Sequence, residues 1–141
     1  MRAFFDTNIV IYSFVQNDGT KSDIARRTLQ RWQDDGGAVI STQVLNETFY
    51  NAIRKHKFTR EAARDVLVAL CELPVVELTT DLVKKAADVA VETQLTIYDT
   101  LMIVAAGSAG CDRIFTEDLN HGQIVRGVRI VNPFREETET T

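Results

Sequence analysis

Residues 2–14 read RAFFDTNIVIYSF, and the order of chemistry along them decides the fold. RAFF is an apolar run of strand length, DTN is a polar turn, and NIVIYSF is apolar again and opens a helix. Asp6 therefore stands at a strand-to-helix junction. The same grammar recurs downstream. Residues 22–34 carry Ile24, Thr28, Leu29 and Trp32 at helical spacing, and Gly36 and Gly37 close that helix. AVIS (38–41) reads as a second strand, and Ser41 caps a helix that runs to His56. Thr59 caps another that runs to Leu73, where Pro74 stops it. PVVELT (74–79) is a third strand, with a helix from Thr80 to Thr93 behind it. YDTLMIVAAGSAG (98–110) is apolar nearly all round, which describes a helix buried in the core. DRIFT (112–116) and GVRIVNPF (127–134) supply strands four and five. Short apolar strands alternating with helices predict an α/β fold. The expected form is a three-layer α/β/α arrangement around a central, mainly parallel five-stranded sheet.

The chain of 141 residues suits one domain with one core, expected over 1–134, with the charged and polar tail REETETT (135–141) frayed outside it. At 45% hydrophobic and 26% charged residues, a disordered or fibrous chain is excluded. The apolar N-terminus is interrupted by Asp6 and Asn8 and lacks a cleavage pattern, so neither a signal peptide nor a membrane span is expected. Cys71 and Cys111 lack paired spacing and read as two buried free thiols in a reducing cytoplasm. A net charge of −4 argues against holding nucleic acid by bulk electrostatics. The local basic clusters, Arg26, Arg27 and Arg31 and then Arg54 through Arg64, read individually as solvated helix faces that are able to flank a substrate groove.

Four carboxylates carry the chemistry: Asp6, Glu47, Asp99 and Asp118. Each alone has an ordinary explanation. Asp6 is a good N-cap, Glu47 projects away from an apolar stripe of Leu45, Phe49, Ala52 and Ile53, and Asp118 suits a turn. Asp99 stands three residues after Thr96, the spacing of a capping box. Together, acids at strand ends and helix starts converge in an α/β fold, and converging oxygen ligands hold Mg²⁺ or Mn²⁺.

At FFDTNIVIY, STQVLNE, IYDTLMIVAA and FTEDLNHGQIVRGVRIVNPF the chain resembles PIN-domain proteins, and more narrowly the VapC-type toxins of prokaryotic toxin–antitoxin pairs. The resemblance runs from Phe4 to Phe134, and its last segment is the most specific. It implies that Asp6, Glu47, Asp99 and Asp118 take the places of the family's metal-binding acids. Thr116 matches a hydroxyl residue near that site, and Asn8 a polar residue that supports Asp6. Some family members carry a further acid shortly after the one matching Asp118. This chain has His121 and Gly122 there, so a second ion that relies on that acid lacks it. The resemblance further implies an RNA substrate, a cognate antitoxin, a homodimer and a cytoplasmic location.

The expected chemistry is hydrolysis of an RNA phosphodiester by a metal-activated water, with paired ions in such sites roughly 3.5–4 Å apart. Asp6 and Asp99 are expected as direct ligands, Glu47 and Asp118 as ligands through water or to a second ion. Three alternatives compete. A metal-free ribonuclease needs an acid and a base, for which the chain offers only His56 and His121. An aspartyl-phosphate mechanism at Asp6 lacks the DxD pair, since Asn8 occupies its second place. A non-catalytic PIN-like scaffold that binds RNA or a protein partner would have little need to keep all four acids.

Overall fold

β1 (Ala3–Phe5) is the middle of the sheet because it is apolar on both faces, and all three of its residues are buried. The computed structural model describes residues 1–15 and 19–135. After β1 come α1 (Thr7–Phe14), α2 (Gly19–Asp34), β2 (Ala38–Ser41), α3 (Thr42–His56), α4 (Arg60–Leu70), β3 (Val75–Val76) and α5 (Thr80–Thr93). α6 (Ile97–Ser108), β4 (Arg113–Phe115), β5 (Ile124–Val125) and β6 (Val128–Val131) complete the chain. The sheet order is β3-β2-β1-β4-β6-β5. Every pairing is parallel except that of β5 with β6.

The expected class holds, with six strands in place of five. The extra strand, β5, folds back on β6 through Arg126 and Gly127, whose φ values of 51° and 81° are those of a two-residue hairpin turn. The Arg126 side chain makes a 2.7 Å ion pair with Glu92. β3 is shorter than PVVELT suggested, because Pro74 has no N–H to give a ladder and serves only as acceptor for Ile40 N at 3.1 Å. α2 starts at Gly19, before Ser22, and α4 ends at Leu70.

Register sorts the sheet's two faces. Arg113, Ile114 and Phe115 of β4 lie beside Arg129, Ile130 and Val131 of β6. Gly107 of α6 approaches Val128, so Ile114, Val128 and Ile130 form the face that α6 covers, with α5 packed behind it. Phe115 lies on the other face, where its ring meets Trp32 of α2 at 5.9 Å. α1 and α2 pack together on that side. Among the described residues no single helix is long and apolar enough to cross a membrane; α5 and α6 together have the composition but meet at 118°.

Two smaller expectations are corrected. α3 buries Val44, Thr48 and Ala52, while Leu45, Phe49 and Ile53 are half-buried, because α1 and α4 press on it from two sides. Of the thiols, Cys111 is buried, and burial pushes it up to about 11, whereas Cys71 is exposed. The tail beyond Arg135 lies outside the described residues.

Candidate active site

The parallel register that sets Phe5 beside Phe115 also sets the next residues of each strand together, namely Asp6 and Thr116. Asp6 N donates to Phe115 O at 3.0 Å, so its backbone continues the ladder by one bond while its side chain turns to cap α1. Oδ1 accepts from Thr7 N and Oδ2 from the Thr116 hydroxyl, both at 2.6 Å. The same hydroxyl accepts from Asp118 N at 3.2 Å, which fixes the loop after β4. Asp6 is 6% exposed. Burial raises its carboxyl from 3.8 to about 6; the bonds from Thr116 and Thr7 oppose that rise, and the charges of Asp118 and Glu47 add to it.

Glu47 comes from α3 and is half-buried, not solvent-facing. Its Oε1 accepts from the Thr7 hydroxyl at 2.6 Å and its Oε2 from Gln43 Nε2 at 3.1 Å. Asp118 accepts from Asn8 Nδ2 at 2.9 Å. Asn8 thus supports Asp118 directly, a different task from the expected support of Asp6. Thr7 and Gln43 were not singled out in the sequence. Gln43 was within reach of a pattern argument, since it precedes Glu47 by four residues and so shares its helix face.

Asp99 stands apart. Its backbone N donates to Thr96 Oγ1 at 3.2 Å, half of the expected capping box, and its carboxylate accepts no hydrogen bond among the described residues. The start of α6 is nonetheless tied to the other acids, because Gln43 Nε2 also donates to Tyr98 O at 3.1 Å. Of the two histidines, His121 is committed to structure, its Nδ1 accepting from Asn132 N at 3.0 Å.

The PIN domain family model matches residues 3–126. The chain belongs to the PIN-domain family. Solved structures agree on the fold. This PIN domain superposes with a TM-score of 0.70 on a toxin-antitoxin complex from Klebsiella pneumoniae, at 22% identity over 95% of this chain and 99% of that one. VapBC2 from Rickettsia felis bound to a DNA fragment from their promoter gives 0.69 at 16% identity, covering 92% and 97%. Mycobacterium tuberculosis VapC20, titled a sarcin-ricin loop cleaving toxin, gives 0.63 at 19% identity, covering 82% and 91%. No curated protein is a significant match to the sequence.

In this PIN domain the donor set fits a hydrated hard cation better than a closed cage. Among the described residues no three Asp, Glu, His or Cys side chains are grouped so as to hold an ion on their own. Acceptors nevertheless outnumber donors. Asn8 Oδ1 and Gln43 Oε1 are buried without a hydrogen-bond partner, and the third such atom, Thr48 Oγ1, belongs to the residue after Glu47. No lysine or arginine among the described residues pairs with Asp6, Glu47, Asp99 or Asp118. Carboxylates and amide carbonyls without a cationic side chain suit Mg²⁺ or Mn²⁺, which take oxygen ligands; Mg²⁺ in particular keeps several waters.

Proposed function

We propose that this PIN domain is a divalent-metal-dependent endoribonuclease, acting as the toxin of a toxin–antitoxin pair. The observation that carries the reading is the buried Asp6 carboxylate, held at two strand ends beside Glu47 and Asp118 with no cationic side chain among the described residues paired with any of the three. Such an arrangement costs stability unless an ion completes it. The fold it shares with a toxin titled as cleaving the sarcin-ricin loop supports RNA as the substrate class. Its likeness to toxin–antitoxin complexes supports a cognate antitoxin as partner; a homodimer and a cytoplasmic setting are proposed alongside it.

Asp6 and Asp99 would hold Mg²⁺ or Mn²⁺ directly, with Glu47 and Asp118 reaching it through water. When bound, the ion neutralises the scissile phosphate and lowers the pKa of a water. The chain's own residues do the positioning. Thr116 and Thr7 fix both oxygens of Asp6, so the carboxylate cannot rotate away. Thr7 and Gln43 fix Glu47, and Asn8 fixes Asp118. Hydrolysis by water leaves a 5′-phosphate and a 3′-hydroxyl.

The test is to incubate antitoxin-free protein with total RNA and Mg²⁺ or Mn²⁺ and to map new 5′ ends, with EDTA and an Asp99→Asn variant alongside. Discrete cuts bearing 5′-phosphates, absent from both controls, are expected. Folded, metal-bound protein that makes no cuts would replace the enzyme with an RNA- or partner-binding scaffold. Cuts that survive EDTA would remove the metal.

A further inference from the structure

Away from the acids, the sheet face on the α2 side opens over β4, β6 and β5 into a groove walled by α2. Among the described residues its charged lining is almost all of one sign. Arg27 and Arg31 come from α2, Arg113 from β4, Arg129 from β6 and Arg135 from the segment after β6. Among the described residues Asp112 is the one acid on the lining, and Arg113 Nε already engages it at 2.9 Å. The arrangement runs against the chain as a whole, whose net charge is −4.

Three features separate this groove from a solvated basic surface. The arginines arrive from four separate segments, and the fold gathers them; Arg113 and Arg129 are register partners on neighbouring strands. Like charges placed side by side on a sheet are unfavourable unless something of opposite sign covers them. Second, Arg31 and Arg129 are exposed and make no ion pair among the described residues. Third, the α2 wall carries an aromatic ring, Trp32, with the Arg113 guanidinium 5.1 Å from its ring centre. Guanidinium groups over a flat aromatic suit a phosphate backbone with unstacked bases.

The groove also points somewhere. Phe115 and Val131 on its lining end β4 and β6, and Thr116, which holds Asp6, follows Phe115 directly. We infer that the arginine groove between α2 and the β4–β6 face binds the phosphate backbone of single-stranded RNA, anchoring the strand beyond the nucleotides at the acid cluster. This rests on the reading of the protein as a ribonuclease, and it adds a second contact region, separate from the carboxylates, that sets affinity for long RNA.

The test measures binding of a fluorescent 20-nucleotide uridine RNA in EDTA, where metal-dependent cleavage is off, so the result stands whether or not the protein cuts RNA. An Arg31→Glu, Arg129→Glu double variant is compared with wild type and with Arg54→Glu, Lys55→Glu, which makes the same charge change on the exposed end of α3. The groove variant should bind at least tenfold more weakly at low salt. Its plot of log affinity against log salt should flatten by about 1.4, at about 0.7 per phosphate contact on a single strand. The α3 variant should stay near wild type. Unchanged binding by the groove variant overturns the inference, and so does an equal loss in both variants, which is bulk charge alone. A groove variant that spares the RNA and weakens a 20-base-pair DNA duplex also overturns it. Melting curves that match wild type establish that both variants are folded.

Discussion

Asp6 and Asp99 begin helices in nearly the same way, and the fold treats them differently. Asp6 caps α1, is buried, and receives two 2.6 Å hydrogen bonds. Asp99 lies in the first turn of α6, is half-buried, and receives none among the described residues. The difference comes from what lies alongside. Asp6 follows a central strand, so the parallel ladder delivers the Thr116 hydroxyl to it; α6 follows a loop, and its start is hydrogen-bonded to the site through Gln43 and Tyr98 O. Position at a helix start is thus compatible with either a hydrogen-bonded, buried carboxylate or a half-buried one without a bond among the described residues.

The comparison breaks first at catalysis and stability taken together. Asp6→Asn and Asp99→Asn should each lower RNA cleavage by about three orders of magnitude, within the range seen when a central charged group is removed. Only Asp6→Asn should also stabilise the metal-free protein near pH 8, because it removes a buried, uncompensated charge. A thermal melt of both variants decides it; equal stabilisation by Asp99→Asn would erase the distinction.

Next in size is Gln43→Ala, which removes one of the two bonds that hold Glu47 and the bond to the start of α6 at once. Loss of an orienting group around a metal costs about 10–100-fold in ion affinity, read by Mn²⁺ titration of wild type and variant.

The pH dependence follows from the sign of the Asp6 shift. With a folded pKa of about 6 against 3.8, the folded state binds more protons than the unfolded state between those values. The stability of the metal-free protein therefore falls as pH rises through that window, by roughly 3 kcal/mol. Urea unfolding at pH 4 and pH 7 should show this decline in wild type, and a smaller one in Asp6→Asn.

Smallest is Thr116→Val. Losing the hydroxyl removes a bond that holds the Asp6 carboxyl down, so its pKa moves further up and the rise of cleavage with pH shifts to higher pH. The expected stability cost is about 1 kcal/mol, measured by the same urea titration.

Much of this was legible in the sequence where a local pattern and the tertiary structure agree. Ser41, Thr59 and Thr96 cap helices as their positions suggest, and the apolar run 98–110 is the helix at the centre of the core. The sixth strand was not legible, because it is two residues long and its turn places an arginine at positive φ. The buried face of α3 was misread by about one residue, since two neighbouring helices, rather than hydrophobicity alone, decide which side is covered. At the site, the sequence offered four acids without their wiring. That Thr7 orients Glu47, and that Asn8 serves Asp118 rather than Asp6, depends on contacts 40 and 110 residues apart. The arginine groove was hidden for the same reason. Arg27 and Arg31 read as a helix face, and only the packing of α2 on the sheet brings them to the groove that Arg113 and Arg129 also line.

The most direct test of the carboxylate centre is to titrate Mn²⁺ into wild type and Asp6→Asn while following the free ion by electron paramagnetic resonance. Wild type should take up Mn²⁺ more tightly as pH rises through about 6, and Asp6→Asn should take up little at any pH. Equal uptake by the two proteins would show that the ion, wherever it binds, is not held by the residue on which the site is built.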